Sequence, residues 1–373
     1  LSVLIAFLAV GFGETVGQVL LIRELLVNFQ GNELSLGVVL TCWLLMMALG
    51  SWGLGKFASR LPSHPSAFVF TIVLYCFILF SQLLLARTVN IVIGVRPGET
   101  AGLLSISSAC LLVLTPLCLL HGFQFPLACQ ILAAQGGMPS VQIGRIYIAE
   151  ALGSMAGGAF FTYVLVHYLS HLEIAALAIL LNLGAGLFLT KPLLCRRFIV
   201  SKTLVLGLCL AGIIILSSGL LAKLEFISSQ WQWQGHQLIS SRNSVYQNIA
   251  VTQKEGQLNF FASGVLLFTA PVPDIKYVEE IAHFPLLYHS HPQKTLLLGD
   301  GMGGVLDEIV KHHPGEVFYV ELDPLIIEMA ERYLPSTSSK YPWVTVVYTD
   351  GRLFVERSEA KFDVVIMNLP SPS

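Results

Sequence analysis

The chain is expected to fold as a polytopic α-helical membrane domain, then a small β-hairpin region, then an α/β domain of Rossmann type. Two observations carry this. Of its 373 residues 54% are hydrophobic and only 12% charged, with a mean hydropathy of +0.72; soluble domains usually have about twice that charged fraction. The apolar excess is also confined to residues 1–225, after which short strand-like runs alternate with helical ones. Such alternation implies a parallel, doubly wound sheet. The expected domains are therefore 1–225, 226–275 and 276–373, the last cut short at its C-terminus.

A membrane-spanning helix needs about 20 mostly apolar residues. Seven stretches qualify, near 2–27, 34–58, 66–90, 101–133, 140–167, 172–190 and 199–222. The fourth is long, and Pro116 and Pro126 are expected to kink or break it. Small residues in "ALGSWGLG" and "ALGSMAGGAF" suit close helix–helix approach. The chain starts on Leu1, not Met, and stops just after the apparent strand in "FDVVIMNLPSPS", so both ends read as cut. The first apolar run is too long for a signal peptide and has no small-residue cleavage site.

Ionisable residues within spans read as functional candidates. Glu14 and Glu150 lie deep, although Arg145, about a turn and a half from Glu150, offers it an ion pair. Arg23 and Glu24 fit a helix end from which they can snorkel, and His121, His167 and His171 fall near span ends. Lys56 and Arg60 follow span two; Lys191, Arg196, Arg197 and Lys202 follow span six. Basic loops favour the cytoplasm, which with seven spans puts the C-terminal domain outside. The C-terminal domain is nevertheless expected on the cytoplasmic side from the ligand its residues suit, so the sequence leaves the side open on what reads as a multi-pass inner-membrane protein. The seven cysteines (Cys42, Cys76, Cys110, Cys118, Cys129, Cys195 and Cys209) all fall in the apolar half without a C-x-x-C pair; they read as packing residues. A net charge of −2 and no basic cluster in the C-terminal half argue against a nucleic-acid partner.

Beyond Trp231 and Trp233, expected as interfacial aromatics, "NIAVTQ" and "QLNFFASGVLLFT" predict a β-hairpin region. Then come helix "YVEEIAHFPLLYH", strand "TLLLG", helix "GGVLDEIVKH", strand "VFYVELD" and helix "PLIIEMAERYL". Strand "VTVVYTDG", a short helix "RLFVER" and strand "FDVVIMNLP" complete the pattern. In such a sheet a ligand binds at the carboxyl ends of the strands. Gly299, Gly301, Gly303 and Gly304, around Asp300, allow a tight turn and close backbone approach. Glu321 ends the next strand about 20 residues on, where a carboxylate takes ribose hydroxyls. These glycines alone also satisfy a dinucleotide fingerprint. Asp350-Gly351, ending the third strand, adds an acceptor for an adenine amino group. A single nucleoside held between Glu321 and Asp350 suits an adenosyl sulfonium better than a dinucleotide.

In order, "NSVYQNIAV", "SGVLLFT", "YVEE", "GDGMGGVLDEIVKH", "VELDPLIIEMAERYLP", "DGRLF" and "FDVVIMNLP" resemble the spermidine synthase family of aminopropyltransferases. The likeness is greatest to members fused to an N-terminal membrane domain, through "QVLLIREL", "LGSWGLGKFASR" and "GRIYIAEALGSMAG". The resemblance implies a β-hairpin domain ahead of a methyltransferase-like fold. It further implies decarboxylated S-adenosylmethionine (or S-adenosylmethionine) as co-substrate, an amine acceptor, no metal, and a homo-oligomer. By position, Gln247 would meet the cofactor's tail, Glu321 its ribose and Asp350 its adenine. Tyr246, Tyr277 and Glu279 would serve the amine. Several positions depart from the family. Its motif histidine is Val278 here, its glycine-loop aspartate is Met302, and the D-G-x-x-Q segment carries Ser263 and Leu267. Its catalytic aspartate is Asn368, and a second amine-binding aspartate is Ser371. An amide has no basicity near neutral pH, so the resemblance implies an intact nucleoside half and an altered amine half. The expected function is a membrane-anchored alkyl- or aminopropyltransferase with a non-standard acceptor. A catalytically silent ligand sensor and a transporter with a regulatory synthase-like domain are the alternatives.

Overall fold

The computed structural model describes residues 2–61, 64–134, 136, 138–190, 196–335 and 341–369. Lys191, Cys195 and Ser371 lie outside them, as do the side chains of Arg196 and Arg197. Two compact units divide between Gln234 and Gly235, nine residues beyond the compositional break, because the last apolar helix and the turn after it pack with the first unit.

The first unit is all helical: α1 (Ser2–Asn28), α2 (Glu33–Leu49), α3 (His64–Ile93), α4 (Leu103–Ala133), α5 (Pro139–Phe160), α6 (His171–Thr190), α7 (Arg196–Ser217) and α8 (Leu220–Gln230). One π turn extends α2 at Gly50–Leu54 and another extends α5 at Phe161–Leu165. Six of the helices are long and apolar enough to cross a membrane, or seven spans if the bent α7–α8 pair counts as one. The expected seventh span is not one straight helix. Most of 199–222 is α7, and Lys202–Ser217 meets Leu220–Trp233 at 76° where Gly219, at φ +69°, leaves the helical region. Nor is α4 broken: it runs unbroken through Pro116 and Pro126, held by α2 and α3 packed along it.

The small residues do set helix spacing. A Cβ on Gly153 of α5 would lie 2.0 Å from the Leu8 carbonyl oxygen of α1, and one on Gly50 would lie 2.6 Å from that of Leu119 in α4. Without those side chains the backbones approach closely enough to bury Val10, Leu20 and Leu117.

Inside the unit the polar residues sort differently from expectation. Glu24 does not snorkel: it is buried, its Oε1 2.6 Å from an Arg87 guanidinium nitrogen and 2.8 Å from His171 Nδ1. Arg87 also reaches Glu225 and Ser228, each at 2.5 Å, and Gln232 donates to Glu24 Oε2 at 2.8 Å. His121 and His171 are buried rather than interfacial, as is Trp233, while Trp231 is exposed. Arg145 is exposed and makes no ion pair with Glu150; Glu150 lies instead near the Glu14 carboxyl, and His121 Nδ1 lies 3.9 Å from Glu14 Oε2.

The second unit holds two sheets. The first is antiparallel in the order β1 (Gln237–Asn243), β2 (Asn248–Lys254), β3 (Gln257–Ala262), β4 (Val265–Ala270). The expected hairpin region is thus four strands, and β1, whose "QLISSRN" is polar and weakly alternating, is the one missed. Then follow α9 (Ile275–Leu287), β5 (Lys294–Leu298), α10 (Val305–Val310), β6 (Glu316–Glu321) and α11 (Pro324–Glu331), ending with β7 (Val344–Tyr348), α12 (Gly351–Arg357) and β8 (Val364–Met367). The second sheet is parallel, ordered β7-β6-β5-β8. Its strands are short apolar runs because helices cover both faces. Phe260, Phe268 and Val251 of the antiparallel sheet pack on Leu325, Ile326 and Met329 of α11, which joins the sheets in one body. The chain turns back between β5 and β8, and the crevice of an open α/β sheet lies at such a switch point, beyond the carboxyl ends of the strands.

Candidate functional site

The β5–α10 turn opens on Gly299, at φ +77°, and closes on Gly304, at φ +103°. A Cβ at Gly299 would lie 2.7 Å from the Asn368 carbonyl oxygen, and one at Gly303 would lie 2.3 Å from Phe268 Cβ. Glycine there lets β8 and β4 close on the turn from two sides. The Asn368 backbone amide donates to the Leu298 carbonyl at 2.9 Å, which sets Asn368 just past β8 at the switch point. Its side chain is buried and doubly used: Nδ2 donates to the Asp300 carbonyl at 2.7 Å, and Oδ1 accepts from Tyr277 OH at 2.5 Å.

Asp300 is the exception in this turn. Its Oδ1 is shut off from solvent with no hydrogen-bond partner. Burial and the nearby Glu321 charge push its carboxyl up to about 7, against the pull of the Gly303 and Met302 amides. Desolvation disfavours the anion, so the group holds a proton or waits for a cation. Asp300, Asn368, Tyr277 and Asp274 line one pocket of about 270 Å³, whose apolar wall includes Leu267 and Val278. The Tyr277 hydroxyl is itself shifted upward, first by burial and then by the charges of Asp300 and Asp274; it is a donor here, not a base.

Glu321 ends β6 with its carboxyl buried. Oε1 accepts from the Leu322 and Asp323 amides at 2.9 and 3.3 Å, and Oε2 accepts from Tyr319 OH at 3.0 Å. Burial raises this carboxyl above its usual range, while those donors pull it back. Oε2 has acceptor capacity for one further donor. Strand β7 pairs in register, Glu321 opposite Tyr348, and adjacent strands lie about 4.8 Å apart. Asp350, two residues on, therefore sits beside Glu321's strand end. Its Oδ1 caps α12 through the Leu353 amide at 3.0 Å, and Gly351 begins that helix.

Tyr246 and Gln247 reach the same end by a tie that the sequence reading missed. Ser244 Oγ accepts from both their amides at 3.0 Å and donates to Asp323 Oδ2 at 2.6 Å. Asp323 also caps α11 through the Leu325 amide. Thus Gln247 is held near the β6 terminus, while Tyr246 is mostly exposed. Only a serine and an aspartate 79 residues apart carried the signal. Asp274 and Tyr319 were likewise missed; Asp274 was legible as the helix cap it forms with the Tyr277 amide.

Glu279 is not in this pocket. Two helix positions lie about 200° apart, so a helix that aims Tyr277 inward aims Glu279 out, and Glu279 is exposed. The wall instead uses Asp274, Tyr277 and Val278, the i, i+3, i+4 set. Met302 packs among apolar residues of both clusters beneath the turn, where a carboxylate would be costly. Ser263 occupies the β3–β4 turn at φ +44°. The residues present fit an adenosyl sulfonium: carboxylates at two neighbouring strand ends, and beyond them a buried oxygen that lacks a partner and that a cation would satisfy.

Comparison with known proteins bears on the same residues. A model of the spermine/spermidine synthase domain matches residues 274–373. The polyamine aminopropyltransferase of Leptospira interrogans is 28% identical over 264 residues, 68% of this chain and 52% of that protein. The polyamine aminopropyltransferase of Methanocaldococcus jannaschii is 40% identical over 99 residues, 26% of this chain and 34% of that one. A crystal structure of spermidine synthase in complex with the transition state analogue AdoDATO has a TM-score of 0.34 and 31% identity, covering 37% of this chain and 48% of that one. The chain thus spans about half the length, or less, of these relatives. At 68% of the chain, the Leptospira match is longer than the second unit and continues into the helical one. Over residues 274–373, the chain is similar to the spermine/spermidine synthase domain.

Proposed function

We propose that the second unit is an alkyl-transferring enzyme that takes decarboxylated S-adenosylmethionine, or S-adenosylmethionine, and an amine whose body is less cationic than a diamine. The observation that supports this reading most is Asp300. Its buried carboxyl has an oxygen without a hydrogen-bond partner, and Asp300 lines the pocket that Asn368 and Tyr277 share, next to the strand ends where Glu321 and Asp350 offer nucleoside contacts. In the proposed step a neutral amine nitrogen attacks the methylene beside the sulfonium. The new C–N bond forms as the C–S bond breaks, methylthioadenosine leaves as a neutral thioether, and the amine's surplus proton passes to Asp300. Asn368, as an amide, orients: it fixes Tyr277 and the Asp300 backbone. Leu267 and Val278 supply an apolar wall suited to an acceptor with one charged end. The assay is methylthioadenosine release from decarboxylated S-adenosylmethionine across a panel of mono- and diamines. Turnover fastest with putrescine would overturn the acceptor assignment. Tight methylthioadenosine binding with no turnover on any amine would turn the reading into that of a ligand sensor.

We further place the helical unit in a bilayer, on the length and hydropathy of its helices and on exposed apolar side chains such as Leu44, Phe70, Phe77 and Ile214. Recovery of the protein in the soluble fraction after carbonate washing would overturn this. A second reading, cation or proton passage through that unit, is favoured by one cluster. The Glu14 and Glu150 carboxyls lie close to one another, and two like charges that near favour a proton on one of them; His121 stands beside them with no hydrogen bond to either ring nitrogen. Proton uptake into proteoliposomes that is unchanged in the Glu14→Gln variant would remove it.

A further inference from the structure

On the outer side of α9, Glu279 and His283 stand one helical turn apart, and Glu308 and His312 repeat that spacing on α10 and the turn after it. The two pairs face each other. His283 Nε2 lies 3.2 Å from Glu308 Oε2, and His283 Nδ1 lies 2.7 Å from His312 Nε2. One ligand-type atom from each of Glu279, His283 and Glu308 falls within 4.8 Å of the others. We propose that Glu279, His283 and Glu308 form a binding site for a divalent transition-metal ion of the zinc class, with His312 as the positioning residue behind His283.

The chemistry follows from the donors. Two ring nitrogens 2.7 Å apart bond only if one carries the hydrogen. When His283 Nδ1–H donates to His312, the Nε2 lone pair of His283 points at the two carboxylates. That is the tautomer a metal requires, with His312 taking the accepting place that a carboxylate, carbonyl or water usually holds behind a metal-binding histidine. Imidazole with carboxylates selects zinc-like ions over magnesium or calcium, which prefer all-oxygen sites. Zinc–ligand bonds of about 2.0–2.2 Å bring ligand atoms to roughly 3.5 Å of one another. The site therefore has to contract by at most about 1.3 Å, within reach of the exposed Glu279 and the partly exposed His283. Lys311 bonds Glu308 from the solvent side and would be displaced. An ion there would clamp α9 to α10, and the inner side of α9 carries Asp274 and Tyr277 of the pocket.

The test is independent of any transferase assay. Full-length protein stripped with chelator is titrated with ZnCl2 by calorimetry, and with cobalt(II) by visible absorption. One equivalent per chain is expected at micromolar affinity or better. His312→Ala should weaken it roughly 10- to 100-fold. Glu279→Gln, a change at an exposed position that leaves the fold intact, should also weaken binding and alter the cobalt spectrum. The absence of stoichiometric binding at about 100 µM zinc, or binding that is the same in Glu279→Gln and His283→Ala as in the parent, overturns the assignment.

Discussion

Replacing Asp300 by Asn tests the buried carboxyl directly. The fold lifts this group from its ordinary 3.8 to about 7, a rise of about three units at roughly 1.4 kcal/mol each. Because the residue keeps some solvent exposure, about 2–4 kcal/mol is the range to expect. The sign is fixed by linkage. Below about pH 4 the group is protonated in both folded and unfolded chains, and it costs nothing. Between about pH 4 and 7 only the unfolded chain ionises it, so native stability falls; above 7 the whole cost is present. Asn keeps an acceptor for the Gly303 and Met302 amides and carries no charge. The variant should therefore match the parent near pH 4, exceed it increasingly up to about pH 7 and hold that margin above it. Thermal unfolding of both proteins in detergent at closely spaced pH values measures the difference, and groups common to both cancel. In the proposed reaction the same variant should lose on the order of 100- to 10,000-fold in turnover. Parent activity should rise with pH through about 7 as Asp300 becomes able to accept a proton. A stability difference that is flat from pH 4 to 8 would refute the burial of this carboxyl; a gain in stability with unchanged turnover would refute its role as base.

Three further outcomes are expected. Glu321→Ala removes a charged acceptor at the β6 end and should weaken methylthioadenosine binding about tenfold or more, read by calorimetry. Asn368→Asp should raise putrescine turnover; robust putrescine turnover by the parent would contradict this. Arg87→Met leaves Glu24 buried without its guanidinium and should cost about 3–5 kcal/mol, seen as early unfolding in detergent. Glu24→Gln with Arg87→Met should recover part of it.

What was legible in the sequence was local. The strand ending in Glu321, the turn from Gly299 to Gly304 and the end of β7 at Asp350 each declare themselves within a few residues, through short apolar runs that stop at glycine or an acid. What was not legible depended on distance or on angle. Glu24 and Arg87 are 63 residues apart, and neither shows the other in its own neighbourhood. Ser244 and Asp323, which seat Gln247, are similarly remote. Glu279 was misplaced for the opposite reason. It sits two residues from Tyr277, near in sequence yet on the far side of the helix. The long proline-containing helix stayed whole because neighbours along its length, not its own composition, decide whether it bends.

The sequence separations of the polar network around Glu24 have a consequence for how the chain is made. Arg87 emerges from the ribosome 63 residues after Glu24, His171 follows 147 residues after it, and Gln232 comes 208 residues after it. At roughly 5–20 residues per second, Glu24 waits several seconds for its first cation and tens of seconds for its last donor. Throughout synthesis, then, the young helices associate around an incompletely satisfied charge. Only translation of the turn after α8 supplies the amide that completes this hydrogen-bonded set around Glu24.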